Sequence, residues 1–274
     1  MNLKIFFKKI SKKFLNITFY NILVIIWLLI KNFNKNLPKL ILARKYKIYN
    51  SKNIFLFSVR ALGGSTIDRG KSFFSKEPET INWINNFIKK SIFLDIGANI
   101  GIYSLYAGVK NHKVISIEPE SANFFSLNLN IFDNRLENNV KSFPYSVDDR
   151  IKITNLYLRN SKMGGSGNSI NRPLGDDGEI FNPIYTQGTI AISVDKLINQ
   201  LKIKPNYIKI DTDGNELNIV KGMKHYIKNK KLLSVLIEIN PVNKNYKKII
   251  NIFNKSGYKI IDKGINSNNI IFNR

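Results

Sequence analysis

The sequence predicts an α/β fold with a doubly wound, mostly parallel sheet. From Ile92 onward, short apolar runs typical of buried strands alternate with stretches of helical periodicity, which indicates a parallel sheet covered by helices on both faces. The first of these strands ends in Asp95 and leads into a glycine-containing turn, and the second ends in Glu118. Such folds bind ligands outside the carboxyl ends of their strands, so both acids lie where a site is expected.

The predicted elements follow a regular order. A short strand at 54–59 precedes a helix at 77–88, for which Pro78 suits the first position and in which apolar residues recur at helical spacing. The alternating part then contains strands at 92–96, 114–118, 140–145, 207–211 and 232–239, with helices starting at Gly101 and Ala122, passing through 217–223 and covering 246–253. Two final runs, 258–261 and 270–272, can pair as a C-terminal antiparallel hairpin.

Size and charge limit the class of protein. The 274 residues suffice for one well-buried domain plus an extension but are few for two full domains. The absence of cysteine excludes disulfides, thiolate metal sites and a cysteine nucleophile, and it fits a reducing cytoplasm. The net charge is +24, but residues 1–67 hold 13 Lys and Arg without any acid, while the rest carries 30 basic and 19 acidic residues. This distribution disfavours a basic nucleic-acid groove on the folded domain.

Residues 1–50 are predicted to form a basic and apolar helical extension, and residues 51–274 the main domain. The apolar stretch 14–30 is shorter than the roughly 20 apolar residues of a bilayer span and contains Asn16 and Asn21. Flanking basic residues suit contact with an anionic membrane surface. We therefore expect a cytoplasmic protein that lies against, or is anchored in, the inner face of the membrane. Packing of this helix on the domain or on a partner is the alternative.

A long segment at 159–188 is rich in Gly, Ser, Asn and Asp and lacks clear periodicity. Segments of this length inside a compact domain are usually lids or binding loops. The sequence therefore predicts a lid-like loop that contributes to acceptor selection, with a solvated surface insertion as the alternative.

The turn after the first strand of the alternating part predicts a nucleoside site. Glycine lets the backbone approach a ligand closely, and the spacing of Gly97 and Gly101 differs from the G-x-G-x-x-G of dinucleotide enzymes. Asp95 can hold an amino-bearing ligand, and Glu118 can accept hydrogen bonds from both hydroxyls of a ribose. These features favour S-adenosylmethionine over a dinucleotide, with a ligand-free glycine turn as the alternative. The candidate cofactor-binding residues are Asp95, Gly97, Ala98, Asn99, Gly101, Glu118 and Ser146, the last beside the adenine.

Three acids near the carboxyl end of a central strand are the candidate catalytic residues. Asp211 is the best placed to remove a proton from a hydroxyl nucleophile. Asp213 and Glu216 can position the substrate or, together with Asp211, bind Mg²⁺, although we predict no resident metal. Acids favoured by the dipole of a following helix are the alternative.

Several segments together resemble the FkbM-like methyltransferase family. They cover about residues 75–262 and consist of Glu77–Thr80 with Trp83, Leu94–Ser104, Ile117–Pro119, Ser193–Asp195, Ile208–Glu216 and Ile237–Asn240. The resemblance implies a Rossmann-like methyltransferase fold, S-adenosylmethionine as the cofactor, and O-methylation of a hydroxyl on a sugar, glycan or secondary metabolite. The family commonly has a hydrophobic residue, an acid and a glycine after Lys-Ile-Asp, where this chain has Thr212, Asp213 and Gly214.

Two other functions stay open at this point. An RNA methyltransferase would use the basic charge to bind phosphates, and salt-sensitive RNA binding would reveal it. A non-catalytic membrane-associated protein with a vestigial cofactor pocket would bind no S-adenosylhomocysteine.

Overall fold

A computed structural model describes residues 44–264 and 267–274, so the helix predicted over 14–30 lies outside the described residues. The strands are β1 (Lys45–Tyr49), β2 (Phe55–Arg60), β3 (Ile92–Ile96), β4 (Lys113–Ile117), β5 (Val140–Phe143), β6 (Ser146–Val147), β7 (Lys152–Leu158), β8 (Ser169–Ile170), β9 (Tyr185–Ile192), β10 (Tyr207–Ile210), β11 (Ser234–Glu238), β12 (Lys259–Lys263) and β13 (Asn269–Asn273). The α-helices are α1 (Gly64–Lys71), α2 (Pro78–Asn85), α3 (Ile102–Val109), α4 (Ser121–Asp133), α5 (Val194–Leu201), α6 (Glu216–Lys221) and α7 (Tyr246–Lys255).

The central sheet has seven strands in the order β12-β13-β11-β10-β3-β4-β5. The five strands from β11 to β5 are parallel, and β13 is antiparallel to both β11 and β12. This arrangement confirms the doubly wound α/β fold and the C-terminal antiparallel pair. The chain runs outward from β3 through β4 to β5 and then returns to the other side of β3 with β10. The crevice between β3 and β10 is therefore the switch point where ligands bind in such sheets.

Alternate side chains of each central strand enter two separate cores because the sheet is covered on both faces. In β3, Phe93 packs with α2, α3, α4 and β2 on one face, whereas Leu94 packs with α5, α6 and α7 on the other. Apolar runs without alternation, such as Ile92–Ile96, are the consequence, and they are what made these strands recognisable in the sequence.

A second sheet, in the order β6-β9-β7-β8, stands beside the central one. The third strand of the alternating part, predicted over 140–145, ends at Phe143, because Pro144 lacks an N–H and interrupts the ladder, and a separate strand, β6, begins at Ser146. β5 continues the central sheet, while β6 pairs with β9 in the second sheet. β8 and the first residues of β9 lie inside the segment 159–188.

The described part of the chain begins earlier than residue 51. β1 lies inside the range 1–50 but pairs with β2 along its whole length, and Lys45–Arg274 forms one compact unit. The predicted strand at 54–59 is therefore one half of a hairpin. Among residues 44–264 and 267–274, no helix has the length and hydropathy needed to cross a membrane.

Candidate functional site

A cavity opens at the carboxyl ends of β3, β4, β10 and β11, at the switch point of the sheet. The space between its walls, together with the open space at its mouth, amounts to about 980 Å³. Seven of the ten predicted site residues line the cavity, and Asp95, Gly101 and Glu216 do not. The lining residues used below are Arg69, Gly97, Ala98, Asn99, Tyr103, Glu118, Tyr145, Ser146, Gly165, Ser166, Lys209, Asp211, Asp213 and Glu238.

The turn 97–101 is shaped mainly by the protein around it. Gly97 has a φ of 82°, and a Cβ at this position would lie 1.7 Å from the backbone oxygen of Asp211. Gly101 has a φ of 87°, and its Cβ would lie 2.3 Å from Cδ1 of Leu127. Both glycines are therefore required by packing inside the protein. Gly97, Ala98 and Asn99 line the cavity, while Gly101 does not.

Asp95 lies beneath this turn, outside the set of cavity-lining residues. Its side chain is 1% exposed, and Oδ2 accepts a hydrogen bond of 2.5 Å from the Ser104 hydroxyl. Oδ1 has no hydrogen-bond partner among the described residues. Burial raises the pKa of this carboxyl above its ordinary value. Direct contact of Asp95 with a ligand stays a prediction.

Glu118 follows β4 and faces the cavity. Oε2 accepts a hydrogen bond of 2.7 Å from the backbone N–H of Asn99, and Oε1 accepts one of 3.0 Å from that of Glu120. Burial raises the pKa of the carboxyl to about 7, although these two N–H groups act to lower it. The two bonds fix the orientation of the carboxylate, and each oxygen retains a lone pair for a ligand hydroxyl.

Ser146 also lies in the cavity wall, next to Tyr145. Its hydroxyl is 3.1 Å from that of Thr189 in β9. The second sheet therefore supplies the wall on the side of β4 and β5, where the sequence predicts the adenine.

Lys209, for which the sequence predicts no role, lies among the acidic residues of the cavity wall. It is 1% exposed, and its Nζ is 2.5 Å from Oδ2 of Asp211 and 5.1 Å from the ring centroid of Tyr103. Burial alone would lower the pKa of this lysine, but the charges of Asp211, Glu77 and Asp95 raise it above its ordinary value. The sequence does carry a signal for these acidic partners. Lys209 lies between Ile208 and Ile210 in a strand covered on both faces, and a lysine buried there is almost always paired.

The pKa values of Asp211 and Glu238 are shifted in opposite directions. Burial alone would raise the pKa of Asp211, but the adjacent Lys209 and a hydrogen bond with Glu238 hold it well below its usual range. The charge of Asp211, followed by burial, raises the pKa of Glu238 to about 10. Asp211 is thus the ionised member, and Glu238 is the protonated acid that donates to it.

Asp213 presents a different environment in the same wall. Its backbone has a φ of 54°, and Oδ2 accepts a hydrogen bond of 2.7 Å from the N–H of Gly167. Oδ1 makes no hydrogen bond with the described residues. Burial and the charge of Asp211 raise the pKa of this carboxyl to about 6.

Glu216, by contrast, lies outside the cavity wall. Its Oε1 accepts hydrogen bonds of 3.0 Å from the Thr212 hydroxyl and 2.9 Å from the N–H of Gly214, so it stabilises the loop that carries Asp213. Within the described ranges, no group of three or more His, Asp or Glu side chains is arranged to hold a metal ion. The structure therefore brings Asp211 and Asp213 to one wall but gives no support to a shared Mg²⁺ site with Glu216.

The family of this chain is identified by its similarity to a known protein domain. The methyltransferase FkbM domain matches residues 95–260, which begin at Asp95 and end within β12. The chain belongs to the FkbM methyltransferase family. This membership confirms the resemblance carried by the sequence segments.

Among curated proteins, this FkbM-family chain is similar to the hexuronic acid methyltransferase AglP of Haloferax volcanii. The two are 28% identical over 153 residues, which make up 54% of this chain and 56% of AglP. The chain thus spans about half the length of the curated relative that it matches.

Solved structures similar to this FkbM-family chain include two methyltransferases. The S-adenosylmethionine-dependent methyltransferase from Agrobacterium tumefaciens has a TM-score of 0.45 at 8% identity, covering 84% of this chain and 70% of its own. The precorrin-6y C5,15-methyltransferase from Geobacter metallireducens has a TM-score of 0.44 at 12% identity, covering 72% and 86%.

Proposed function

We propose that the chain is an S-adenosylmethionine-dependent methyltransferase that methylates a hydroxyl of a sugar, either free or within a glycan. One observation carries the proposal: Glu118 after β4 and the acids after β10 line the same cavity on opposite sides of β3. A ribose-binding carboxylate and a proton-accepting carboxylate therefore share one enclosure, as a transfer between cofactor and hydroxyl requires.

The donor set fits the proposed cofactor. We assign the ribose hydroxyls to Glu118, whose oxygens each accept only one backbone hydrogen bond, and the adenine to the wall formed by Tyr145 and Ser146. The amino-acid end is assigned to the neighbourhood of Tyr103 and Lys209, where a cation and carboxylates can meet its two charges. When bound, the cofactor supplies an electrophilic methyl group, and the protein supplies orientation and proton transfer.

We assign to Asp213 the role of removing the proton from the acceptor hydroxyl. A general base works best when its pKa is close to the working pH, and the pKa of Asp213 is about 6. Asp211 is a weaker base because Lys209 and Glu238 stabilise its ionised form. Oδ1 of Asp213 makes no hydrogen bond with the described residues, so it can take a hydroxyl proton, while Asp211 orients the acceptor.

The acceptor class that we propose is an acidic sugar. AglP, by its name, methylates a hexuronic acid, and a cation in the cavity wall would suit such a carboxylate. Arg69 lines the cavity and uses Nε to donate a hydrogen bond of 2.6 Å to the backbone oxygen of Gly164. Its terminal nitrogens make no hydrogen bond within the described residues, so they can donate two parallel hydrogen bonds to a carboxylate of the acceptor.

Calorimetry with S-adenosylhomocysteine tests the cofactor assignment. Glu118→Ala should weaken binding roughly tenfold to a hundredfold, because it removes a charged acceptor of ribose hydroxyls. Glu137→Ala, at an exposed glutamate away from the cavity, is the matched control and should bind normally. Absence of binding by the unaltered chain would overturn the proposed function.

Transfer of a labelled methyl group to hexuronides, with neutral hexosides for comparison, tests the acceptor. Asp213→Asn should lower turnover at least about 100-fold, the contribution typical of a general base, with unchanged cofactor affinity. Equal transfer to neutral hexosides would contradict the acidic-sugar assignment alone.

We further propose that the N-terminal residues bring the enzyme to an anionic membrane surface on the cytoplasmic side. The support is the run of 13 basic residues without an acid over 1–67, next to an apolar stretch. Polybasic segments beside apolar helices gain about 1 kcal/mol per Lys or Arg near such a surface.

A further inference from the structure

The four residues Gly164–Gly167, here called the strap, cross the cavity and are held almost entirely through their main chain. Asn123 accepts a hydrogen bond of 2.7 Å from the N–H of Gly164 through its side-chain oxygen. The backbone oxygen of Gly165 accepts one of 2.7 Å from the Asn99 amide and one of 3.2 Å from the Asn123 amide. Two neighbouring site residues thus fix one end of the strap.

Arg69 and Asp213, which both line the cavity, also bind the strap. Arg69 donates a hydrogen bond of 2.6 Å to the backbone oxygen of Gly164, and Oδ2 of Asp213 accepts a hydrogen bond of 2.7 Å from the N–H of Gly167. Within the same loop, the Asn160 amide donates a hydrogen bond of 3.0 Å to the backbone oxygen of Ser166. A Cβ on Gly164 would lie 3.1 Å from the N of Thr66 in α1, so the strap passes close to that helix. Every partner outside this loop except Asn123 also belongs to a segment with a proposed cofactor or acceptor role.

The strap contributes no apolar side chain to either core, since it consists of three glycines and a serine. Lifting it breaks a handful of hydrogen bonds but exposes no packed hydrophobic residue. Such segments open at far lower cost than core elements. Ser166 is exposed and Gly165 lines the cavity, so the strap separates the bound molecule from solvent.

We propose that the strap opens and closes over the cofactor, and that Asp213, besides its proposed role as proton acceptor, latches the strap closed. This inference rests on the proposed function. With Oδ2 bound to Gly167, the other oxygen of Asp213 is fixed toward the acceptor side. The acceptor-side carboxylate is therefore in place only when the strap encloses the cofactor, so methyl transfer is confined to the closed state.

The latch depends on the charge of Asp213. A carboxylate accepts a stronger hydrogen bond than a neutral acid, so protonation weakens the bond from Gly167. Four charged groups face Asp213. Together with burial, the negative charges of Asp211 and Asp176 raise its pKa and so favour its protonation, whereas the positive charge of Arg69 lowers it. The fourth group is Glu216, whose own pKa is raised by burial and by the charge of Asp213. The strap should loosen as the pH falls through about 6, the pKa of Asp213.

Hydrogen exchange of the strap amides in the full-length chain, corrected for intrinsic rates, tests the latch. At pH 7.5, Asp213→Ala should lower the protection of residues 160–168 about tenfold, the loss expected for one charge-assisted hydrogen bond. Asp213→Asn keeps a neutral acceptor oxygen and suits the positive φ, so at pH 7.5 it should already show the fewfold-lower protection that the unaltered chain reaches at pH 5. Asp176→Asn, which removes a nearby charge without touching the strap, is the matched control.

The pH series decides between a latch and a merely structural contact. The unaltered chain should lose strap protection between pH 7.5 and 5, whereas Asp213→Asn should show no such step. Dissociation of S-adenosylhomocysteine should be about tenfold faster from Asp213→Ala. A pH step that persists in Asp213→Asn, or unchanged protection in Asp213→Ala, overturns the latch even where the cofactor binds. Failure to bind S-adenosylhomocysteine overturns the proposed function instead, and the exchange of the free protein still reports on the latch.

Discussion

Lys209 shows how one buried charge organises its surroundings. The cost of removing an ammonium group from water is offset here by the ion pair with Asp211 and by the further carboxylates of Glu77 and Asp95. The same pairing holds Asp211 ionised, which forces Glu238 to keep its proton. A lysine in the middle of a strand thus determines the protonation state of two acids in the cavity wall.

Glu238→Gln should stabilise the protein at neutral and alkaline pH. The pKa of the Glu238 carboxyl is about 4.3 in the unfolded chain and about 10 in the folded protein. Its contribution to the free energy of unfolding is therefore complete below the unfolded pKa and is lost as the pH rises through the folded pKa. Glutamine stays neutral and can still donate to Asp211. Thermal unfolding should therefore coincide with the unaltered chain at pH 4, and the variant should unfold at least about 2–4 °C higher at pH 8, corresponding to about 1 kcal/mol.

Glu179→Gln, at an exposed glutamate, is the control and should show no such divergence. A constant difference between Glu238→Gln and the unaltered chain at every pH would show that the carboxyl of Glu238 titrates normally.

At the scale of elements, the turn after β3 joins three strands. The N–H groups of Gly97 and Ala98 donate to the backbone oxygen of Ile117 at the end of β4, at 2.9 and 3.0 Å. Gly97 packs on the backbone of Asp211 at the end of β10. The turn after β3 is therefore in direct backbone contact with the ends of both β4 and β10.

Gly97→Ala should consequently cost more than about 2 kcal/mol of the free energy of unfolding. The variant combines a left-handed backbone, for which alanine is unfavourable by roughly 1–2 kcal/mol, with a Cβ only 1.7 Å from the Asp211 oxygen. Gly188→Ala in β9 meets no atom within 4 Å and should change stability by less than about 1 kcal/mol. Urea unfolding of both variants measures the difference, and equal midpoints would contradict this account of the turn.

The elements also show what the sequence can and cannot predict. The β3 turn and Glu118 were recognisable because parallel strands bring their carboxyl ends to one edge. β7 was missed because it exposes Ile153 while burying Leu156 and Leu158, which blurs the alternation of a half-buried strand. The strap was predictable only as a loop, since contacts made by main-chain atoms leave no pattern of side chains. Lys209 left a signal, but its partners lie on other segments of the chain.

At the scale of the whole molecule, the core residues that the structure describes all follow Lys45. The first core residue of the described chain is Ile48 in β1, and every central strand lies further on. The folded unit Lys45–Arg274 thus contains every cavity-lining residue that the structure describes. It also contains the whole match to the FkbM domain.

A chain starting at Lys45 should therefore keep its urea midpoint and its affinity for S-adenosylhomocysteine. It should lose binding to vesicles that contain anionic lipid, because it lacks most of the basic residues of 1–67 and the apolar stretch 14–30. Sedimentation of the full chain and of the shortened chain with anionic and neutral vesicles measures this. Equal sedimentation of the two chains with anionic vesicles would remove the N-terminal residues from membrane contact.

The attachments of the strap also have a consequence for how the protein folds. The hydrogen bonds that the strap makes outside its own loop join positions 41 to 95 residues apart in sequence, the extremes being those with Asn123 and Arg69. The last of these partners, Asp213, follows the strap by 46 residues. Contacts across such separations form slowly because long stretches of chain must be ordered first. During synthesis the turn after β3 and Glu118 leave the ribosome well before Asp213. Glu118 and the turn whose N–H group orients it are thus synthesised before the residue that holds the far end of the strap.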